Sequence, residues 1–363
     1  MMKSASENAI DRIRSIAESI RPLDAADLER AARHLDSLTK PLGSLGQLES
    51  LAVQVVAIRK GSLELPLRKA IYVFAADHGV AHLGVSAYPP EVRAQMVMIF
   101  VNGGAAINLL ARQHEAELTV VDAGVKAQFD EAPRLRRMKV RAGSRNFLEE
   151  PAMTEEELNA ALALGLSMAD EALARGIQMV AVGEMGIGNT TSASAITAML
   201  TRRPPAEVTG RGTGLDDAGR NRKLNVVRRA LRKHFPEGEN ADALEVLRRV
   251  GGLEIAAMTG FILGAASHGQ VIISDGFITT AAEAVAYAVA PHVKEYLIAG
   301  HCSEEPGHRF LLRYFGISPL LRLNMRLGEG TGAVLAMLII ESALRLYSEM
   351  ATFASAGVSG AEV

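Results

Sequence analysis

Short apolar runs without polar alternation recur along most of the chain, and they constrain its fold more than any other feature of the sequence. Runs of this length are typical of strands that are buried on both faces of a parallel sheet. Helix signals separate them; Thr154 and Glu157, for example, form a capping-box pattern before Leu158 and Leu162. Alternating strands and helices predict an α/β fold, a parallel sheet with helices on both faces. The predicted strands are residues 71–75, 118–121, 177–182, 271–273 and 296–299.

A cluster of small or polar residues follows each predicted strand. Because ligands of parallel α/β sheets bind beyond the carboxyl ends of the strands, we expect the functional site at this edge of the sheet. The clusters are Asp77-His78-Gly79, Asp122-Ala123-Gly124, Gly183-Glu184-Met185-Gly186, Ser274-Asp275-Gly276 and Gly300-His301-Cys302.

The first 60 residues carry helical signals and no strand signal. Ile10, Ile13, Ile16 and Ile20 recur at nearly helical spacing, and a second helix is expected over residues 24–38. We expect this part of the chain to be a helical segment that packs on the main body.

Charge and composition exclude several classes of function. The 363 residues include 39 basic and 41 acidic side chains, a balance that argues against a dedicated nucleic-acid binder. Tryptophan is absent, so a base-stacking platform is not expected. The one cysteine, Cys302, cannot form an internal disulfide and fits a reducing cytoplasm. We also expect no secretory signal and no membrane span, which needs about 20 mostly apolar residues.

The first glycine segment, residues 183–191, follows a predicted strand and opens a helix. Its glycines, Gly186 and Gly188 among them, allow backbone N–H groups to approach an anion, and the helix N-terminus adds positive potential. Thr190 and Thr191 add hydroxyl groups. The alternative is a tight strand-to-helix turn with a threonine cap, and the spacing alone does not choose between the two.

Two further glycine segments carry candidate groups. The second, residues 209–214, precedes a helix whose Lys223 can reach an anion or remain solvated, and the segment itself can be a linker. In the third, residues 327–332, Glu329 stands between glycines at the start of an apolar helix. Glu329 is either a carboxylate that interacts with the helix dipole or a general base whose pKa is raised from about 4.3 by burial.

The acidic and histidine side chains at the strand ends allow a second interpretation. Asp77, His78, Asp275 and His301 can ligate a hard metal, which suggests a metal-dependent phosphohydrolase. Their spacing matches no ligand motif, and such residues are often caps and turn formers. A third hypothesis is a non-catalytic nucleotide-binding protein that uses only the glycine segments.

Two other segments have a structural and a functional interpretation each. Ser86, Tyr88 and Gln95, with nearby methionines, suit a pocket for an aromatic heterocycle or a proline-terminated loop before a helix. The basic run at residues 134–141 is typical of a charged edge strand or loop, or of an anion or partner contact.

Several of these segments together resemble one family, the nicotinate-nucleotide:dimethylbenzimidazole phosphoribosyltransferases of cobalamin lower-ligand assembly. The motifs follow one another in the same order along most of the chain, which is far more specific than any motif alone. They lie at residues 35–46, 75–80, 100–108, 183–191, 209–214, 274–277 and 327–332.

The resemblance implies Rossmann-like winding of the sheet and a small helical domain made from both chain ends. The implied division is a helical segment at 1–60, a catalytic α/β domain at 61–330 and a C-terminal helix at 331–363. It also implies a cytoplasmic homodimer without a metal or redox cofactor. The implied reaction moves phosphoribose from nicotinate mononucleotide to 5,6-dimethylbenzimidazole, giving α-ribazole 5′-phosphate and nicotinate.

The resemblance also assigns roles to individual side chains. Glu329 matches the catalytic base of the family. The resemblance implies that the glycine segments and their neighbours bind the phosphate and ribose of the nucleotide; these residues are Glu184, Gly186, Gly188, Asn189, Thr190, Lys223 and Ser303. It also implies that the benzimidazole pocket is lined by Ser86, Gln95 and Leu327.

Overall fold

A computed structural model of the chain describes residues 9–88, 92–236 and 241–359, which form one six-stranded sheet in the order β3-β2-β1-β4-β5-β6. All neighbouring strands are parallel, as predicted. The strand order reverses between β1 and β4, as in Rossmann-type sheets, and ligands bind at such a switch point. The strands are β1 (Lys69–Ala76), β2 (Glu117–Gly124), β3 (Leu135–Arg137), β4 (Met179–Met185), β5 (Val271–Ser274) and β6 (Leu297–Ala299).

Helices connect the strands and cover both faces of the sheet. Short 3-10 helices span Gly79–Leu83 and Pro291–Tyr296. The α-helices are α1 (Ala9–Ser19), α2 (Ala25–Asp36), α3 (Gln47–Ile58), α4 (Val92–Asn102), α5 (Ala106–Gln113), α6 (Glu155–Ala174), α7 (Asn189–Thr201), α8 (Pro205–Val208), α9 (Asp217–His234), α10 (Ala243–Val250), α11 (Leu253–Ser267), α12 (Phe277–Val289), α13 (Pro306–Phe315), α14 (Thr331–Glu349) and α15 (Phe353–Ala356).

Strand β1 shows why the predicted strands lack polar alternation. All eight of its residues are buried, because helices cover both faces. Tyr72 and Phe74 pack into the layer that contains α6, α11 and α12. Ile71 and Val73 face the opposite layer, with α3, α5 and α14. Successive side chains of a strand point to opposite faces, so both sets must be apolar here.

The basic run contains the edge strand of the sheet. Leu135–Arg137 forms β3, which pairs only with β2 among the described strands. Leu135 is buried, whereas Arg137 is exposed and forms an ion pair with Glu131. The sequence left an edge strand or a loop open for this run, and residues 135–137 form the strand. The charges protect an edge that would otherwise pair with other chains.

Both chain ends contribute to the layer around α14. α2 and α3 pack against each other, α3 packs on α14, and Leu38 forms an antiparallel bridge with Thr352. The His34 ring nitrogen Nε2 lies 2.8 Å from the carbonyl oxygen of Tyr347. α1 instead packs on α6 and α11 in the opposite layer, so the described part of the N-terminal segment, residues 9–60, divides between the two layers. The three-segment domain division stays a prediction.

Two segments of the described chain, Ala94–Gln113 and Thr331–Glu349, are long and apolar enough to cross a membrane by length and composition alone. The sequence expectation overlooked them because it considered only residues 255–266 and 333–340. Thr331–Glu349 is α14, which packs on β4, β5, α3 and α5. A core helix of a folded domain passes this test as readily as a membrane span does.

Helices α6 and α11 touch through glycines, which leads to a stability prediction. A methyl group at Gly165 would collide with the carbonyl oxygen of Ala257, and one at Gly260 with that of Leu162. We expect Gly165→Ala to lower the free energy of unfolding by about 1–3 kcal/mol, because the helices must separate. Urea denaturation measures this change. The control Ala174→Ser, exposed on the same helix, should change it by less than about 0.5 kcal/mol; equal effects would contradict the prediction.

Candidate active site

A cleft of about 290 Å³ opens at the carboxyl ends of the central strands, next to the switch point of the sheet. All three glycine segments border it, together with the residues that follow β5 and β6. The sequence prediction of a site at this edge therefore coincides with a cavity large enough for a nucleotide-sized ligand.

Glu329 lies at the inner wall of the cleft with a left-handed backbone, φ +64°. It is 4% exposed, and its Oε2 has no hydrogen-bond partner among the described residues. Burial, and second the charge of Asp275, raise the pKa of Glu329 to about 7. A carboxylate with this pKa and a free oxygen is suited to accept a proton near neutral pH.

Asp275 fixes the backbone on which Glu329 is mounted. Its carboxylate accepts the N–H groups of Gly330 at 3.0 Å, Gly332 at 2.7 Å and Ala333 at 3.2 Å, which belong to the first turn of α14. Burial opposes its ionisation, but the hydrogen bond from His301 and these N–H groups hold the pKa of Asp275 below its usual value. The sequence analysis missed this role, because residues 275 and 330–333 are brought together only by the fold.

Glu184, at the end of β4, is the second buried carboxyl group of the cleft. The side-chain amide of Asn189 donates a hydrogen bond to its Oε2. Burial, followed by the charges of Asp275 and Glu254, raises the pKa of Glu184 well above its usual value. A methyl group at Gly328 would collide with Oε1 of Glu184, so the third glycine segment passes directly over this carboxyl group.

The first and second glycine segments meet around Lys223. Gly188, with φ +95°, precedes α7, and Thr190 Oγ1 accepts a hydrogen bond from Lys223 Nζ at 2.8 Å. Burial lowers the pKa of Lys223 to about 8, against the charge of Glu305, which raises it. A Cβ atom at Gly212 would lie 3.1 Å from Thr190 Oγ1 and 3.2 Å from Lys223 Nζ. The second glycine segment is therefore part of the site and not a free linker.

Ser303 borders the cleft after β6 and is held from behind by His308. Its N–H donates to His308 Nδ1 at 3.0 Å, and its Oγ lies 2.9 Å from the same nitrogen. His308 Nε2 lies 3.0 Å from Thr280 Oγ1, and burial lowers the pKa of His308 to about 3. A permanently neutral imidazole thus supports the loop, and no motif in the sequence pointed to it.

The predicted base-pocket residues are only partly brought together. Leu327 borders the cleft and is 54% exposed, next to Tyr88 and Met96. Ser86 and Gln95 are not among the residues that line the cleft: Ser86 Oγ accepts the N–H of Tyr88, and Gln95 is exposed on α4. Residues 89–91, between Ser86 and Gln95, lie outside the described residues. The role of Ser86 and Gln95 in the pocket stays a prediction.

The alternative metal site is not supported by the geometry. Asp77 Oδ2 accepts the N–H of Lys126, and His78 Nε2 lies 2.5 Å from a carboxylate oxygen of Glu254. Within residues 9–88, 92–236 and 241–359, no group of three histidine, cysteine or acidic side chains is placed to hold a metal ion. The strand-end residues are instead engaged in caps, turns and buried pairs, as their alternative interpretation holds.

Comparisons with known proteins agree with the geometry. A family model described as a phosphoribosyltransferase matches residues 20–358. Two curated relatives are named nicotinate-nucleotide–dimethylbenzimidazole phosphoribosyltransferase. The one from Chloroflexus aurantiacus is 49% identical over 96% of this chain and 99% of its own length. The one from Desulforudis audaxviator is 50% identical over 97% and 99%.

A solved structure shows the same fold. The crystal structure of CobT from Thermus thermophilus superimposes with a TM-score of 0.88 at 45% identity, and the match covers 93% of this chain and 100% of that one. Because the matches in sequence and in structure extend over nearly the full length of both chains, the chain belongs to the nicotinate-nucleotide–dimethylbenzimidazole phosphoribosyltransferase family.

Proposed function

We propose that this enzyme transfers the 5-phosphoribosyl group of nicotinate mononucleotide to 5,6-dimethylbenzimidazole with inversion, giving α-ribazole 5′-phosphate and nicotinate. The observation that carries the proposal is the buried Glu329 in the cleft, with a free oxygen and a pKa of about 7. The names of the relatives support the same reaction.

The bond that breaks requires little help from the protein. The glycosidic nitrogen of nicotinate mononucleotide belongs to a pyridinium, so nicotinate leaves as a neutral ring without a general acid. Positive charge develops on the ribose as this bond lengthens. The incoming benzimidazole nitrogen attacks C1′ from the opposite face, which converts the β to the α configuration. No phosphoryl group moves in this reaction.

Glu329 acts as the general base. As one benzimidazole nitrogen bonds to C1′, the other nitrogen becomes acidic and its proton passes to the carboxylate. Base catalysis of this kind is typically worth about 10²- to 10⁴-fold. Burial and the charges of Asp275 and Glu254 raise the pKa of Glu184, which disfavours a second negative charge beside this base.

The remaining groups hold the nucleotide in line for attack. The phosphate binds the N–H groups of the first glycine segment at the N-terminus of α7. The other contacts are made by the segment's own side chains, by a buried cation and by the loop after β6. These residues are Glu184, Gly186, Gly188, Asn189, Thr190, Lys223 and Ser303. Leu327 forms the apolar wall of the benzimidazole pocket, and Ser86 and Gln95 complete it when the base is bound.

The active enzyme is a homodimer in the cytoplasm, without a membrane span or a metal cofactor. Large apolar side chains of α4, α5 and α14 are exposed: Met98, Ile99, Leu109 and Leu338. A second copy of the chain would remove such a surface from water. The near balance of acidic and basic side chains and the lone cysteine fit this location. Light scattering of the purified protein tests the dimer.

Product analysis is the direct test of the reaction. Purified enzyme, nicotinate mononucleotide and 5,6-dimethylbenzimidazole should yield α-ribazole 5′-phosphate and nicotinate in equal amounts. Omitting the benzimidazole should abolish nicotinate release, which distinguishes the transferase from a hydrolase and from a nucleotide-binding protein without activity. Nicotinate release without a base would contradict the proposal.

The rate should depend on pH through the base. We expect kcat/KM to rise about tenfold per pH unit below about pH 7 and to level off above it, because only ionised Glu329 accepts a proton. Initial rates from about pH 5 to pH 9 measure the profile. The substrate phosphate also titrates, near about pH 6, so the control is Glu329→Gln. An unchanged acidic limb in that variant would assign the titration to another group.

A further inference from the structure

Glu305 borders the cleft but has no part in the contacts proposed above. It lies two residues after Ser303, directly before α13, and is 6% exposed. Its Oε1 accepts the N–H of Gly212 at 2.7 Å. Its Oε2 is buried and has no hydrogen-bond partner among the described residues. A carboxylate offers about four acceptor positions, and the hydrogen bonds within the described residues occupy one of them on Glu305.

The position of this carboxylate is fixed by its surroundings. A methyl group at Gly210 would collide with the carboxyl group of Glu305 and with Pro306, so the second glycine segment packs closely over it. The hydrogen bond from Gly212 holds it from the same segment. Glu305 is therefore a pre-positioned acceptor, and such a buried acceptor is costly to leave without a donor.

The chemistry of a carboxylate limits what it can bind. It accepts hydrogen bonds and repels anions, so neither the phosphate nor the nicotinate carboxylate suits it. The ribose of a mononucleotide carries the hydroxyl donors that it requires. Glu305 borders the same cleft as Leu327 and Glu329, which are proposed for the base. Its hydrogen-bond partner Gly212 packs against Thr190 and Lys223, which are proposed to hold the phosphate. The sugar joins the phosphate to the base, so we expect it to pass through this part of the cleft.

We propose that Glu305 binds the ribose hydroxyl groups of the mononucleotide and selects ribonucleotides over deoxyribonucleotides. This inference rests on the proposed function and adds to it a residue that recognises the sugar. As a second consequence, its negative charge lies beside the ribose ring, where positive charge develops in the transition state.

The test compares nicotinate mononucleotide with its 2′-deoxy and 3′-deoxy forms in wild-type enzyme and in Glu305→Gln. The glutamine keeps an acceptor for Gly212 and replaces the free oxygen with an NH₂ group. We expect kcat/KM for the ribonucleotide to fall about 10- to 100-fold in the variant, because a hydrogen bond to a charged group is lost. For at least one deoxynucleotide it should fall less than about threefold. Removing a hydroxyl changes intrinsic reactivity equally in both enzymes, so this effect cancels in the comparison.

Three controls separate this inference from the alternatives. Glu304→Gln, the exposed neighbour, should behave as wild type with every substrate. Equal losses with all three substrates would show that Glu305 only anchors the second glycine segment, and no loss would show that it has no role; either result overturns the inference.

Should the variant not fold, wild-type enzyme gives the answer: calorimetry should show α-ribazole 5′-phosphate binding more tightly than its deoxy forms, and equal affinities would overturn the inference. If wild-type enzyme releases no nicotinate from the ribonucleotide, the proposed function itself has failed.

Discussion

Glu329→Gln should lower kcat by about 10²- to 10⁴-fold and change the KM for nicotinate mononucleotide by less than about threefold. The amide has the shape of the carboxylate but cannot accept the benzimidazole proton. Both side chains occupy the same left-handed backbone, φ +64°, so the substitution introduces no new backbone strain. Steady-state kinetics with both substrates saturating measure the loss. Turnover near the wild-type rate would show that another group accepts the proton.

The same variant should unfold at a higher temperature than wild type above pH 7. The folded pKa of Glu329, about 7, lies above its ordinary value, so the native state loses stability as the pH rises through the range between them. The neutral amide avoids that loss. Thermal melts near pH 5 and pH 8 check the sign: the advantage of the variant should grow with pH. A more stable but nearly inactive variant cannot be explained by misfolding.

Asp275→Asn should be the second most damaging substitution. The carboxylate accepts three N–H groups of the segment that carries Glu329, and an amide leaves part of this set without an acceptor. We expect kcat to fall about 10²-fold, since small displacements of a reacting group are costly. The free energy of unfolding should fall by about 1–3 kcal/mol. Kinetics and urea denaturation measure the two effects.

The pH profile distinguishes Asp275 from an ordinary structural residue. Its charge is the second cause, after burial, of the raised pKa of Glu329. Removing it should move the acidic limb of kcat/KM to lower pH. The control is Asp242→Asn: Asp242 accepts the N–H of Leu244 at 2.8 Å and caps α10 away from the cleft. Since Asn caps helices about as well as Asp, Asp242→Asn should change the free energy of unfolding by less than about 0.5 kcal/mol and keep the wild-type pH profile. An acidic limb of kcat/KM that stays at the wild-type pH in Asp275→Asn would show that Asp275 does not set the pKa of Glu329.

The sheet was predictable because each buried strand carries its own signal, a short apolar run, in the local sequence. Apolar runs buried on both faces identify β1, β2, β4, β5 and β6 from sequence, with ends that differ from the structure by a few residues. The basic run left a strand or a loop open for β3, because a three-residue edge strand carries little apolar signal. The position of α1 in the layer opposite to α2 was not predictable, because it depends on which distant surfaces fit each other.

The candidate site was predictable where glycines mark it and not where tertiary contacts build it. The glycines on either side of Glu329 drew attention to this residue, but its two possible roles were indistinguishable in sequence. The structure shows that Asp275, from a distant segment, supplies the acceptor for the first turn of α14, which leaves Glu329 Oε2 free. Glu305 escaped notice for the same reason, since its partner Gly212 lies in a distant segment. His308 contacts the nearby Ser303, but a single histidine on a helix carries no signal of that contact in the sequence.

Helix α14 links the chemistry of this enzyme to the ends of its chain. Its first turn follows Glu329, and in its last turn the carbonyl oxygen of Tyr347 contacts His34 of α2, roughly 28 Å away at 1.5 Å per residue. Because α14 is one continuous helix, a displacement of its C-terminal end can shift its N-terminal end. We therefore expect tags, fusions or truncations placed past Glu349 to alter the position of Glu329, the proposed base, through α14.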